Sequence, residues 1–170
     1  MGKILFVDID GVLAEYRWSG IGEERKKGHF LSLEANRVLC AALQELKRAG
    51  TDIYIVSKIM SDAPYCLPEK EQWLRCELPE IGQEKYIFVD SSANKSEAVA
   101  ATIGTDINSN AVLLDDYTKN LQEWERAGGT AVKALNEING KGKIWQGERI
   151  DIRKDRPKEE MISSLKKLLA

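Results

Sequence analysis

Residues 3–13 read Lys-Ile-Leu-Phe-Val-Asp-Ile-Asp-Gly-Val-Leu, and this stretch decides the fold. Residues 4–7 are apolar without alternation, which is typical of a strand buried on both faces of a parallel sheet. Asp8 and Asp10 follow this strand directly, and Gly11 favours a turn after them. Asp-Gly is a common turn dipeptide, so the two aspartates could be turn residues alone. They become informative only through the residues at the ends of the other strands.

Short apolar runs alternate with longer amphipathic segments along most of the chain. Strands are predicted over 3–7, 52–56, 86–89, 111–114 and 130–132, with helices over 33–49, 69–78, 95–103, 118–127 and after Pro157. Strands separated by helices indicate right-handed crossovers and a parallel sheet that is covered on both faces. A hairpin of 143–145 with 148–152 is predicted around Gly147, within a C-terminal hairpin and helix over 141–170. We find no internal repeat or linker, which predicts a single domain over 1–170.

The composition excludes several classes of protein. The 170 residues carry 25 basic and 27 acidic side chains, a net charge of −2, and no basic tract. Stable binding to nucleic acid or to a membrane surface is therefore not expected. No apolar run approaches the roughly 20 residues of a membrane span. The first residues enter a strand directly instead of forming a signal peptide, which predicts a cytoplasmic location. One histidine and three cysteines without a CxxC pair argue against histidine-based sites, zinc sites and a disulfide framework.

Polar side chains follow four of the predicted strands. In an open parallel sheet these strand ends meet at one edge, where ligands bind. Several carboxylates at one edge repel each other unless a cation lies among them, and ligands that are all oxygen favour Mg²⁺. A lysine and a hydroxyl are suitable donors to a phosphate. The strand-end residues are Asp8 and Asp10, then Ser57, then Lys95 after the third strand, and finally Asp115 and Asp116.

These groups together can perform phosphoryl transfer. An aspartate beside Mg²⁺ can attack phosphorus and form an aspartyl-phosphate. The metal offsets the repulsion between two anions, and a lysine stabilises the charge on the transferring group. A second carboxyl group can protonate the leaving oxygen and later activate water.

The constellation resembles the haloacid dehalogenase-like (HAD) phosphohydrolases over residues 3–133. Their first motif, a strand followed by DxDG, corresponds to 6–13, and the strand ending in Ser or Thr corresponds to 53–57. The strand followed by two aspartates corresponds to 112–116. The resemblance implies a three-layer Rossmann-like α/β fold with a parallel sheet and a minimal cap over about 15–32.

The same resemblance implies a role for each motif residue. Asp8 is the expected nucleophile and Asp10 the expected general acid and base. Ser57 and the backbone N–H of Lys58 would hold the phosphate. The expected Mg²⁺ ligands are Asp8, the carbonyl group of Asp10, and Asp115 or Asp116, between which the sequence does not decide.

The lysine of the third motif has three candidates. Lys95 is preferred because the predicted helix before the Asp115-Asp116 strand begins at this residue. Lys58 and Lys70 lie near the second strand, and they are expected to be lysines on the rim of the site. A helix-start lysine in solvent is the alternative interpretation of Lys95.

A narrower resemblance concerns the substrate. Segments 62–65, 69–74 and 115–121 look like the bacterial and phage branch of the 5′(3′)-deoxyribonucleotidase family, which implies a nucleoside monophosphate as substrate. The short cap departs from better-known members of that family. Tyr16, Trp18 and Phe30 are available to stack on a base or sugar, or they could anchor the cap to the core instead.

Three functions remain open at this point. The first is a Mg²⁺-dependent 5′-nucleotidase that acts through an aspartyl-phosphate. The second is a HAD phosphatase for another small-molecule phosphate or for a polynucleotide end. The third is a non-catalytic binding module. The sequence does not indicate the oligomeric state.

Overall fold

The computed structural model describes residues 2–16, 22–139 and 145–170. Within these ranges the chain forms six β-strands and five α-helices, which alternate from β1 to β5 and are followed by β6 and α5. The strands are β1 Ile4–Val7, β2 Asp52–Ile59, β3 Tyr86–Asp90, β4 Ala111–Asp115, β5 Thr130–Leu135 and β6 Glu148–Asp151. The helices are α1 Arg37–Arg48, α2 Cys66–Glu77, α3 Lys95–Ile103, α4 Thr118–Arg126 and α5 Lys158–Leu169. The predicted α/β class is confirmed.

All six strands lie in one sheet with the order β3-β2-β1-β4-β5-β6, and every neighbouring pair is parallel. The first strand of the chain is therefore central, with β2 on one side and β4 on the other. Val7 pairs with Ile55 of β2 and with Leu114 of β4. This register brings Asp8, Ser57 and Asp115 to the same edge of the sheet, because each follows a paired residue by one or two positions.

Alternate residues of the strands contribute to two separate cores. Leu5 and Val7 of β1 belong to a core that includes buried residues of α1, α2 and α5. Phe6 belongs to a second core with Val99 of α3 and Trp124 of α4. The sheet is thus covered by helices on both faces, which gives three layers. Because the residues on both faces of β1 are buried, its apolar residues do not alternate with polar ones.

The helix boundaries differ from the sequence prediction at α1 and α2. α1 begins after Asn36, whose side chain accepts a hydrogen bond from the Leu39 amide at 3.1 Å and so caps the helix. α2 begins at Cys66, three residues before the predicted start. Pro68 is therefore the third helical residue. A proline is tolerated there because the first N–H groups of a helix have no intrahelical partner.

The predicted hairpin and cap are only partly covered by the described residues. The second predicted hairpin strand forms β6, which pairs with β5 in parallel. Residues 143 and 144 of the first lie outside the described ranges, as does Trp18. Short 3₁₀ turns occupy Glu23–Arg25 and Phe30–Ser32 in the cap region. The single-domain organisation stays a prediction. In the described parts of the chain, no helix has the length and apolar character needed to cross a membrane.

Candidate active site

The site is built around Asp8, which directly follows the central strand β1. Its side chain is buried, and its Oδ1 accepts a hydrogen bond from the Ile9 amide at 2.8 Å. Lys95 Nζ lies 2.8 Å from the same oxygen. Burial raises the pKa of Asp8 well above its usual value, and the nearby carboxylates of Asp115 and Asp10 raise it further, while Lys95 opposes the shift. Asp8 is therefore a carboxyl group whose charge depends on nearby cations.

Lys95 links two strand ends. It is the first residue of α3, which Asn94 caps by accepting a hydrogen bond from the Ser96 amide at 2.8 Å. Its ammonium is 2.7 Å from Asp115 Oδ2 in addition to its contact with Asp8, and it is only 1% exposed. Although burial lowers the pKa of Lys95, the two carboxylates raise it above its usual value. Lys95 is thus a fixed cation within the site and not a lysine in solvent.

Asp115 and Asp116 have different surroundings. Asp115 is fully buried and accepts hydrogen bonds from Asn120 Nδ2 at 2.9 Å and the Tyr117 amide at 2.7 Å. Asp116 is less buried, and its Oδ2 accepts a hydrogen bond from Asn136 Nδ2 at 2.9 Å. Burial and repulsion from Asp115 raise the pKa of Asp116 to about 6. Asp115 thus has two hydrogen bonds and the Lys95 ammonium as partners, whereas Asp116 has fewer partners to offset its charge.

Gly11 allows the first and fourth motifs to meet. Its φ is +76°, which favours glycine, and a Cβ at this position would lie 2.3 Å from Asp116 Oδ2. The Gly11 carbonyl also accepts a hydrogen bond from Asn136 Nδ2 at 2.8 Å. The same amide therefore holds Asp116 and the turn after β1. Glycine is required here both for its backbone conformation and for the absence of a side chain.

Three carboxylates of the site could bind a divalent cation. Asp8, Asp115 and Asp116 each offer one oxygen, and these oxygens lie within 4.8 Å of one another. Mg²⁺ prefers oxygen ligands. Burial and repulsion between neighbouring carboxylates raise the pKa values of Asp8 and Asp116, and a bound cation would offset the negative charge of this cluster. The donor set therefore fits the predicted Mg²⁺.

A second cation, Lys70 of α2, lies on the other side of the site. Lys70 Nζ is 2.5 Å from Asp10 Oδ2 and donates to Ser57 Oγ at 3.0 Å. It also donates to the Lys58 carbonyl oxygen at 2.8 Å. Ser57 is fully buried, and its Oγ is 3.4 Å from Asp10 Oδ2. Asp10, Ser57 and Lys70 thus form one hydrogen-bonded cluster.

The structure corrects the expected position of Lys70. We expected a lysine on the rim, but its side chain is 2% exposed and it contacts Asp10 directly. Lys58 does lie nearer the surface, where its Nζ donates to the Ser91 carbonyl at 3.2 Å. The side chain of Lys58 is therefore not brought into the cluster, although its carbonyl group contacts Lys70.

Further residues of the site were not singled out by the sequence. Asn120 and Asn136 bind the aspartates of the fourth motif, and Lys133 donates to the Asp116 carbonyl oxygen and to Thr118 Oγ1. The one sequence signal for Lys70 was its position three residues before Trp73 and four before Leu74, on the apolar side of α2. Phe30, a candidate for stacking, is 6% exposed and belongs to the same core as Leu5 and Val7, so it fits the anchoring alternative better. Tyr16 is exposed.

The sequence matches no protein-family model and no curated protein. Solved structures do match the fold. A D,D-heptose 1,7-bisphosphate phosphatase from Burkholderia thailandensis is 15% identical, with a TM-score of 0.64 over 96% of this chain and 98% of that chain. The corresponding phosphatase from B. bronchiseptica, complexed with magnesium and phosphate, is 14% identical, with a TM-score of 0.65 over 95% of this chain and 99% of that chain.

A HAD family hydrolase from Deinococcus radiodurans R1, with bound phosphate and sodium, is also similar. It is 14% identical, with a TM-score of 0.65 over 98% of this chain and 96% of that chain. These similarities confirm the predicted HAD-like fold. At such low identity they show the fold alone, and the resemblance to the deoxyribonucleotidase branch stays a prediction.

Proposed function

We propose that the chain is a Mg²⁺-dependent phosphatase that hydrolyses phosphate monoesters with Asp8 as nucleophile. The observation that carries this proposal is the position of Asp8, buried after the central strand with Lys95 Nζ at 2.8 Å and with Asp115 and Asp116 in one carboxylate cluster. The fold neighbours that are named phosphatases support the same reaction class. Asp10, with its carboxyl group partly exposed, is the proposed general acid and base.

The nucleophile must be ionised to attack. Burial and the neighbouring carboxylates favour its protonated form, and Lys95 counteracts them with a charged hydrogen bond. When bound, Mg²⁺ supplies the additional positive charge that this group of carboxylates requires, with Asp8, the Asp10 carbonyl, Asp115 and Asp116 as its proposed ligands. Lys95 also contacts Asp115, so its ammonium is held in place before substrate arrives.

The reaction has two balanced steps. A carboxylate oxygen of Asp8 forms a bond to phosphorus, the phosphorus–oxygen bond of the ester breaks, and Asp10 gives its proton to the leaving oxygen. A water molecule then attacks the aspartyl-phosphate, Asp10 takes the proton of that water, and the Asp8 carboxylate and inorganic phosphate are released. Ser57 and the Lys58 backbone are proposed to hold the phosphate during both steps.

Within this class, we propose (deoxy)nucleoside 5′-monophosphates as substrates. The support is the sequence of segments 62–65, 69–74 and 115–121. A sugar phosphate is the second candidate, because two of the fold neighbours are named as heptose bisphosphate phosphatases. The two candidates differ in the leaving group and share the phosphate chemistry described above.

Phosphate release from a substrate panel tests the proposal. The panel contains nucleoside monophosphates, sugar mono- and bisphosphates and 3′-phosphorylated DNA, each with Mg²⁺ or with EDTA. We expect Mg²⁺-dependent release that is fastest for nucleoside monophosphates. Faster release from sugar phosphates would show that the substrate is a sugar phosphate and would leave the proposed enzyme class unchanged. No release from any ester would favour a binding module, and full activity in EDTA would contradict the metal assignment.

Two substitutions test the assigned roles. Asp8→Asn keeps the shape of the side chain and removes its nucleophilic charge, so turnover should be abolished. Residual activity within about tenfold of wild type would contradict this role.

Asp10→Asn should lower the rate of hydrolysis by about 10²–10⁴-fold. The loss should be smaller for p-nitrophenyl phosphate, whose leaving group needs little protonation. An equal loss for good and poor leaving groups would contradict the acid role.

A further inference from the structure

Lys70 is a buried cation that the proposed reaction does not yet use. Its ammonium makes three contacts, with Asp10 Oδ2 at 2.5 Å, Ser57 Oγ at 3.0 Å and the Lys58 carbonyl at 2.8 Å. Only 2% of its side chain is exposed, whereas 32% of the Asp10 side chain is. Of the two charged partners, Asp10 is therefore the one that can move toward solvent without leaving a cavity in the core.

The position of Lys70 is fixed by its own helix and by the cap region. The ring of buried Phe30 lies 4.8 Å from Lys70 Nζ. The neighbouring residue Glu69 accepts hydrogen bonds from the Gly28 amide at 2.5 Å and from the Phe30 amide at 3.1 Å. Glu69 thus holds residues 28–30, which lie over Lys70, against α2. The ammonium is consequently preorganised, and the ligand it binds can change while the cation stays in place.

The donors around Asp10 suit a phosphate. Ser57 Oγ and Lys70 Nζ converge on one carboxylate oxygen of Asp10. A phosphate oxygen accepts hydrogen bonds from the same donors, and it carries more charge. The Asp10 carboxylate therefore occupies a position where the Ser57 hydroxyl and the Lys70 ammonium could bind another anion instead. Lys95 differs, because both of its carboxylate partners are almost completely buried.

We propose that Lys70 is a phosphate-binding residue that exchanges the Asp10 carboxylate for the phosphate of the substrate. In the free protein Lys70 and Ser57 hold Asp10. When a phosphate monoester reaches Ser57, Lys70 binds its phosphate group, and Asp10 is released, takes a proton from solvent and faces the leaving oxygen. The second half of this exchange rests on the proposed function of Asp10 as acid. The first half, anion exchange at Lys70, requires no turnover.

Binding of inorganic phosphate tests the exchange without catalysis. Calorimetric titrations use the Asp8→Asn protein with saturating Mg²⁺ as the parent. Adding Lys70→Met should weaken phosphate binding by at least about tenfold, the size expected for loss of a charged hydrogen bond. Lys166→Met is the control for net charge, since Lys166 is an exposed lysine in the last turn of α5. It should stay within about twofold of the parent. An unchanged affinity in a folded Lys70→Met protein would overturn the proposal, as would an absence of phosphate binding by the parent.

Asp10→Asn in the same parent provides an independent test. The neutral amide competes less well for Lys70, so phosphate should bind several-fold more tightly. Loss of one carboxylate charge favours an anion in any case, so Asp10→Asn is also made in the Lys70→Met protein, where the exchange predicts a clearly smaller gain. An equal gain with and without Lys70, or weaker binding of phosphate by Asp10→Asn, would contradict the exchange. Lys70→Gln replaces Lys70→Met in both tests if the methionine variant does not fold. Hydrolysis is measured separately on proteins with Asp8 intact. Ester hydrolysis with phosphate affinity independent of Lys70 would overturn only the exchange, whereas Lys70-dependent phosphate binding without hydrolysis of any ester would overturn only the proposed function.

Discussion

Lys95 is the single residue on which the charge balance of the site depends most. Its substitution by alanine would leave Asp8 and Asp115 buried without the cation that lies 2.8 and 2.7 Å from them. We expect Lys95→Ala to lower kcat/KM by at least about 10²-fold, which corresponds to about 2.7 kcal/mol of transition-state stabilisation.

Substitution of Lys95 by arginine tests whether the shape of the cation matters in addition to its charge. Lys95→Arg should restore little activity, because a planar guanidinium does not fit where a compact ammonium contacts two carboxylates. Steady-state kinetics at saturating Mg²⁺ measure both variants, with circular dichroism to confirm folding. A folded Lys95→Ala protein with nearly wild-type kcat/KM would show that Lys95 has a structural role alone.

Gly11 offers a test with a matched control. In Gly11→Ala the new methyl group would enter a left-handed backbone conformation and meet Asp116 Oδ2. Gly104 has a similar φ of +71°, but a Cβ there meets nothing within 4 Å. Both alanine variants should lose roughly 1–2 kcal/mol of unfolding free energy from the backbone. Only Gly11→Ala should also lose activity and Mg²⁺ affinity, so equal activities of the two variants would contradict the role of Gly11 at the site.

At the scale of residues, the sequence predicted what lies at strand ends. Parallel strands place their carboxyl ends at one edge, and Asp8, Lys95 and the fourth-motif aspartates do lie together there. Ser57 lies beside Asp10, although β2 continues beyond it to Ile59. Lys70 could not be placed in the same way. It lies within a helix, and whether a helical lysine faces solvent or the site depends on how that helix packs against the sheet and the cap region.

At the scale of elements, α2 connects the cap region to the site, and Glu69 binds the backbone amides of Gly28 and Phe30. Glu69→Gln replaces a charged acceptor of two backbone amides by a neutral one. We expect the cap region to open more often, so that trypsin cleaves after Lys26 or Lys27 several-fold faster. Glu71→Gln, two residues further along α2, is the control. Equal cleavage rates of the two variants would show that Glu69 does not hold the cap region.

The sequence predicted the order of most elements correctly but not all of their pairings. β1 to β5 and the helices between them follow from apolar runs and helical periodicity, which are local properties. The parallel pairing of β6 with β5 is a contact between distant parts of the chain. Its short sequence, with two exposed residues, gives no periodicity from which that direction could be derived.

At the scale of the whole molecule, the carboxylate cluster should make stability depend on pH and on Mg²⁺. Burial and Asp115 raise the pKa of Asp116 from 3.8 to about 6. The native state then binds more protons than the unfolded chain, so the contribution of Asp116 is most favourable below about pH 4 and is lost as the pH rises through 6. This loss amounts to up to about 3 kcal/mol in the metal-free protein.

Thermal unfolding with EDTA measures this effect. Asp116→Asn should be more stable than wild type at pH 7.5, and the difference should shrink toward pH 4. Asp106→Asn, at an exposed position, controls for the removal of one charge. Mg²⁺ should raise the Tm of wild type at pH 7.5 more than that of Asp116→Asn. A Tm difference between wild type and Asp116→Asn that does not change with pH would contradict the raised pKa.

The central position of β1 has a consequence for how the protein loses activity. β1 is hydrogen-bonded to β2 on one side and to β4 on the other, and residues on both of its faces lie in a core. Its amide protons should therefore exchange with deuterated solvent only when the entire sheet opens, while those of the edge strands β3 and β6 exchange through smaller local openings. Asp8, the proposed nucleophile, directly follows β1, so heating should not displace this residue before the sheet as a whole unfolds.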